Sequence, residues 1–189
     1  MDAIETDRLV LRNFRKDDAA DLFAYLREPA ASCFLSLKLE DLRAAEAEAE
    51  KRSGSDESIA VCLKGPGTLI GDLFTFTEED TVSVGWNFNP AFGGAGYATE
   101  AARALFAHLF TTVGARRLYA YVEDHNIPSR RLCERLGMRQ EGLFKEFISF
   151  RNDENGKPVF ENTMQYAILR KEWEARRQVP AAPASGAQA

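Results

Sequence analysis

A chain of 189 residues is long enough for one domain and buries roughly 70% of its unfolded surface, so it needs neither a metal nor a disulfide to hold together. Apolar residues at 45% and charged residues at 28% exclude wholesale disorder, and a net charge of −5 argues against a duplex nucleic-acid binder, whose affinity comes from neutralised phosphates. The three cysteines, Cys33, Cys62 and Cys133, lack metal-ligand spacing and have only His108 and His125 to join them, which predicts no metal site and a reducing, cytoplasmic setting.

In chain order, Thr6 to Arg12 alternates like a strand, and Asp17-Asp18 precedes the helical spacing Ala19, Leu22, Phe23, Leu26. Leu37 to Lys51 is Ala-, Glu- and Leu-rich and predicts a second helix, with Arg52 to Ser58 as a loop. Three apolar runs follow, Ile59 to Leu63, Leu69 to Thr75 and Thr81 to Phe88, spaced by turn residues as in an antiparallel meander. After Asn89-Pro90 a glycine-rich turn, Gly93-Gly94-Ala95-Gly96, opens a helix that runs to Val113, where Gly114 ends it. A strand over Leu118 to Val122, a short helix over Ser129 to Leu136 and two strands, Gly142 to Phe150 and Asn162 to Leu169, complete the pattern. No apolar run approaches the ~18 residues of a membrane span. The order predicts a mixed α/β (α+β) fold with a βαβα second half, a single domain over residues 1–175 and a tail over 176–189. From Gln178 on, that tail has no charged or aromatic side chain to order it.

The segment that carries chemistry is the strand, glycine turn and helix from Thr81 to Val113. Small residues before a helix let backbone N–H groups approach an anion, although glycines also serve simply to turn a chain. Two common phosphate loops can be tested directly, and both fail. The only Gly-Lys, Gly156-Lys157, is followed by Pro158, and the third glycine of a dinucleotide fingerprint is Thr99.

Gly96-Tyr97-Ala98-Thr99-Glu100-Ala101 after Asn89-Pro90 resembles the pyrophosphate-binding turn of the GNAT N-acetyltransferases. Asn126, Ser129, Leu132, Leu136 and Gly137 resemble that superfamily's Asn-x-x-Ser-x-x-Leu helix, followed by Glu141-Gly142 at the next strand. Thr6 to Arg12, Ile70-Gly71 and Tyr166 to Leu169 with Trp173 resemble the ribosomal-protein N-acetyltransferase branch. The resemblance covers roughly residues 5 to 173. It implies a mostly antiparallel twisted sheet flanked by helices, acetyl-CoA as co-substrate and transfer of an acetyl group to a primary amine. The acceptor is a protein N-terminal α-amine, or alternatively an aminoglycoside, polyamine or amino acid. A non-catalytic acyl-CoA-binding module is a further alternative, and the working unit is a monomer or homodimer.

The resemblance places the cofactor on Gly94, Ala95, Gly96, Tyr97, Ala98 and Thr99. It implies that Trp86 and Phe88 bond the pantetheine arm through their backbone, against core packing as the plain reading. Asn126 either contacts the cofactor arm or orients the helix beside Pro128. Ser129 either starts that helix or donates a proton to the leaving thiolate. Glu123 is the candidate for a water-mediated base, against a solvated loop acid. Glu100 reads as a partner of the helix dipole, Cys133 as an inert buried thiol and His125 as a surface loop residue. Two departures stand out: Gly93 lacks the Gln or Arg side chain often found there, and Cys133 stands where many members place a tyrosine acid. Asn162 stands where aspartate is frequent. Phe34 to Leu39 and the hairpin Phe147 to Phe160, with Asn152, Asp153 and Glu154, are expected to shape the acceptor pocket.

Overall fold

The computed structural model describes residues 1–178. Eight strands form one sheet: β1 (Ile4–Glu5), β2 (Leu9–Asn13), β3 (Ser58–Leu63), β4 (Leu69–Glu78), β5 (Thr81–Phe88), β6 (Arg117–Glu123), β7 (Arg139–Asn152) and β8 (Pro158–Leu169), in the order β1-β2-β3-β4-β5-β6-β8-β7. Five helices flank it: α1 (Ala19–Leu26), α2 (Leu42–Ser53), α3 (Tyr97–His108), α4 (Ile127–Arg135) and α5 (Arg170–Gln178). Every strand pair is antiparallel except β5 and β6. The expected mixed α/β fold with a mostly antiparallel sheet is therefore what the chain adopts. Among the described residues no helix is long and apolar enough to cross a membrane.

Strand alternation fills both faces. On β3, Ile59 and Val61 turn to the side of α3, where Ala101, Ala102, Leu105 and Phe106 cover them. Ala60 and Cys62 turn to the other side, against Leu22, Tyr25 and Leu26 of α1 and Ala45 and Ala49 of α2. Each fully buried Leu or Phe in these layers contributes about 1.5–3 kcal/mol. Trp173 of α5 closes the α3 side against Phe110, with ring centroids 5.2 Å apart.

Several boundaries differ from the sequence reading. The helix expected over Leu37 to Lys51 begins at Leu42, because the Asp41 side chain accepts from the Ala44 N–H and caps it there. Ser32–Leu37 winds instead as a 3-10 segment, and α2 runs on through Ser53, so the expected loop is shorter. α3 stops at His108, and a π-helical turn over Leu109–Val113 carries the chain to Gly114, which ends it at φ +87°. α5 extends through Gln178, past the expected domain boundary at 175; the rest of the expected tail, residues 179–189, lies outside the described residues.

The site is made by the one parallel pair. β5 and β6 pair only at Thr81 with Arg117, Val82 with Leu118 and Ser83 with Tyr119. Beyond these the strands run on unpaired to Phe88 and Glu123. On its other edge β5 stays paired with β4 as far as Phe88, and the next N–H, of Asn89, bonds to Ile70 C=O. In an antiparallel ladder, hydrogen-bonding direction alternates by residue. Asn89, Asn87 and Gly85 thus point at β4, which leaves the backbone groups of Val84, Trp86 and Phe88 facing the opening.

Candidate active site

The glycine turn sits where the opened strand feeds α3. Gly94 and Gly96 both hold left-handed backbone, at φ +79° and +82°. Gly96 is the N-cap, and the first bond of the helix runs from Glu100 N–H to Gly96 C=O at 3.1 Å. Tyr97, Ala98 and Thr99 therefore present their N–H groups ahead of the ladder, at the positive end of the helix dipole. A Cβ at Gly94 would meet nothing within 4 Å, and at Gly96 only an Arg8 nitrogen at 3.7 Å. Glycine is favoured there by its left-handed conformation, with no help from crowding.

A cleft of about 1340 Å³ lies over this turn and includes Gly94, Gly96, Tyr97, Ala98, Thr99 and Phe88. It also gathers five arginines, Arg8, Arg103, Arg135, Arg176 and Arg177, against Asp7, Glu100 and Glu134, in a chain of net negative charge. These cations supply what Gly93 lacks, and they fit a polyphosphate ligand such as acetyl-CoA. The sequence reading missed them as a group, since they come from the turn between β1 and β2, from α3 and α4, and from α5. Arg8 alone lay within a quoted motif.

Arg8 has three tasks. It donates to Glu100 through its backbone N–H at 3.0 Å and its Nε at 2.7 Å, donates to the Ala95 C=O at 3.0 Å, and stacks over the Tyr97 ring at 4.5 Å. Thr6 Oγ1 donates to Glu100 at 2.6 Å. Burial alone would raise the Glu100 carboxyl, but the Thr6 and Arg8 hydrogen bonds outweigh it and hold the group below the ordinary carboxylate range. Glu100 stands in the first turn of α3, as the dipole reading expects, and it also ties the turn before β2 to the start of that helix.

On the other side of the opening a cavity of about 650 Å³ reaches Trp86, Glu123, Asn126 and Ser129. Glu123 is the last residue of β6 and only 6% exposed, so the solvated-loop reading fails. Asn126 caps α4, accepting from the Ser129 N–H at 3.3 Å, and its Nδ2 reaches Glu123 at 3.4 Å. The helix-orienting reading of Asn126 is therefore realised in the structure. Trp86 Nε1 donates to Ser129 Oγ at 3.1 Å, which leaves the hydroxyl proton available for another acceptor. Trp86 lines this cavity and Phe88 the arginine-lined cleft, while both pack against the same core.

Phe34, Ser36 and Leu37 from the first of the two segments named for an acceptor pocket, and Phe147, Ile148 and Phe150 from the second, line this cavity together with Cys33, which lies outside both. The hairpin tip does not take part. Asp153 Oδ1 accepts from the N–H groups of Asn155 and Lys157, closing its own turn, and none of Asn152, Asp153 and Glu154 lines the cavity. The α2 wall holds a polar network absent from the sequence reading. Tyr25 donates to Asp72 at 2.7 Å, and Arg52 lies 3.3 Å from Asp72 and 2.8 Å from Glu48. Burial pushes the Asp72 carboxyl up, against the pull of Arg52 and Tyr25. Helical spacing connects only Glu48 and Arg52, at i and i+4 on α2; the fold alone brings Tyr25 and Asp72 to them.

The remaining thiols and histidine fall into place. Cys133 is fully buried and pushed up to about 12 by burial, an inert thiol as expected. Burial first, and Glu123 second, also raise the Cys33 thiol far above its ordinary value. The His125 side chain is 59% exposed.

Residues 8–139 match the family model for an acetyltransferase (GNAT) domain. The uncharacterized N-acetyltransferase YnaD of Bacillus subtilis is 32% identical over 173 residues, covering 90% of this chain and 98% of YnaD. The crystal structure of a GNAT-family acetyltransferase from Bacillus anthracis aligns with a TM-score of 0.81 at 28% identity, over 90% of this chain and 99% of that one. Ribosomal-protein-S5-alanine acetyltransferase from Vibrio fischeri shares the fold, with a TM-score of 0.69 at 15% identity over 90% of this chain and 98% of that one. With an opened parallel pair leading into a left-handed glycine turn, and a family model matching well over half its length, the chain belongs to the GNAT acetyltransferase family.

Proposed function

We propose that the protein transfers the acetyl group of acetyl-CoA to a primary amine by direct attack, and that the acceptor is the α-amine of a protein N-terminus. The observation that carries the amine reading is Glu123. It is a buried carboxylate in the second cavity, and no cation lies within ion-pair distance of it among the described residues. Burying an unpaired charge is costly, and an incoming ammonium relieves that cost.

Acetyl-CoA supplies an activated thioester; the chain supplies position and proton handling. The amides of Gly94 to Thr99 and the surrounding arginines hold the phosphates, while the backbone of Trp86 and Phe88 aligns the arm along the opening. An N–H of this strand receives the charge that develops on the acyl oxygen. Glu123 takes the ammonium proton, directly or through a water; after attack the nitrogen passes its second proton to Ser129 Oγ as Ser129 hands its own proton to the departing sulfur, so the hydroxyl is restored. Asn126 holds the two together. A lone unpaired carboxylate suits an α-amine, whose pKa near ~8 demands less of a base than a lysine near ~10.4.

The likeness of the first and last strands to the ribosomal-protein branch supports an N-terminal acceptor. So does the fold shared with an enzyme named for a ribosomal-protein alanine. A polyamine or aminoglycoside is the second reading, favoured by further acids in the cavity, Glu48, Glu57 and Asp72. Of these, Glu48 and Asp72 are already held by Arg52, which weakens it.

Thiol release from acetyl-CoA tests the acceptor with two matched peptides, one with a free α-amine and no lysine, the other N-terminally blocked with a lysine. Turnover of the first is expected. Turnover of the blocked peptide alone, or of spermidine or kanamycin ahead of both, overturns the N-terminal assignment. Thiol release with none of them indicates a binding module.

A further inference from the structure

Opposite the end of β6, the β7–β8 ladder is interrupted. Phe144 pairs with Thr163 and Ile148 with Glu161, so Lys145, Glu146 and Phe147 stand against the single residue Asn162. Glu146 takes up the surplus in left-handed backbone, φ +48°, an uncommon conformation for a residue with a side chain. One side chain holds it. Asn162 Oδ1 accepts from the Glu146 N–H at 3.0 Å, and Asn162 Nδ2 donates to Asp124 at 2.8 Å. Asn162 is thereby fastened to the loop after Glu123 and to the bulge at once. Phe147, the next residue, stacks on Phe144 and Tyr121 at 5.1 and 6.0 Å and lines the acceptor cavity with Phe34, Ile148 and Phe150.

We propose that Asn162 is a positioning residue for acceptor choice: by holding the Glu146 bulge it sets Phe147 in the cavity wall, and this wall selects amines that carry an apolar group beside the nitrogen. The proposal rests on the second cavity receiving the acceptor. It does not depend on whether that acceptor is a peptide, and binding of free amines tests it apart from the peptide assay.

The experiment is calorimetric titration of 2-phenylethylamine and of ethanolamine into the full chain saturated with coenzyme A. Wild type is expected to bind 2-phenylethylamine about tenfold tighter or more, as burial of a phenyl group requires. Phe147→Ala and Asn162→Ala should each cut that preference to about threefold or less while leaving coenzyme A affinity within about twofold, since neither touches the cofactor cleft. Glu146→Gly added to Asn162→Ala should restore most of the preference, because glycine takes a positive φ without the clamp. That rescue separates positioning from general loosening of the fold. The proposal falls if neither amine binds, if wild type shows no preference, or if Asn162→Ala retains it. It falls equally if the double variant stays as unselective as Asn162→Ala, or if Asn162→Ala weakens coenzyme A and both amines alike.

Discussion

The two cavities that meet β5 are built by different means. The arginine-lined cleft is floored by one unbroken stretch, Gly94 to Thr99, whose backbone amides are set by two left-handed glycines, while five arginines from distant elements surround it. The second cavity, where we place the acceptor, draws its walls from residues as far apart as Cys33 and Thr163, and its polar groups are side chains. A backbone site tolerates change in most neighbouring side chains, whereas a side-chain site alters with each substitution. Such a division lets one reaction be kept while acceptors are exchanged.

The contrast is broken most severely by cutting the framework of the acceptor wall. Arg52→Ala strands Asp72 as a buried carboxylate and is expected to cost about 3–5 kcal/mol in urea unfolding. An unchanged midpoint would show that the Tyr25–Asp72–Arg52–Glu48 network is not structural. Next in size, Glu123→Gln should lower kcat/KM at pH 7 by about a hundredfold, with acetyl-CoA affinity unchanged. The deficit should shrink as pH passes the α-amine pKa of ~8, where the acceptor is already neutral. A pH-independent deficit would assign Glu123 to binding alone.

On the cofactor side, Gly96→Val puts a β-branched residue at φ +82° and should weaken acetyl-CoA by about tenfold or more, the left-handed penalty alone being about 1–2 kcal/mol. Wild-type affinity in a folded variant would move the pyrophosphate site elsewhere. The smallest effect is electrostatic. Glu100 has its folded pKa depressed, so its stabilisation is present above the unfolded carboxylate pKa of ~4.3 and lost as pH falls through the folded value. Glu100→Gln should therefore lower Tm at pH 6 and flatten its decline below about pH 4.5. Asp72, shifted upward, contributes with the opposite sign in both proteins and cancels in the comparison.

Much of the cofactor side is legible in the order of residues alone, because strand, turn and helix are consecutive and glycine spacing reports backbone conformation. The same locality makes Asn126 and Ser129 readable as a helix start. It fails at Glu123, whose neighbours Asp124 and His125 suggest a solvated loop. Glu123 is buried with Thr163 as its partner on β8 and Cys33 nearby, residues forty after and ninety before it. It fails also at Leu37 to Lys51, where composition favours helix throughout but the Asp41 side chain offers a cap that starts α2 later.

By itself, then, the sequence determined the order of elements from β2 to β8, though neither β1 nor α5, together with the glycine turn and the burial of Cys133. Each depends on spacing, on small residues or on an apolar stripe within one element, all properties of neighbours along the chain. Only the tertiary structure decided that five dispersed arginines surround the turn, that Arg52 holds Asp72, and that Asn162 braces Glu146. Those contacts join residues far apart along the chain, brought together by the packing of α3 and α4 on one face of the sheet and of α1 and α2 on the other, and by no local pattern of residues.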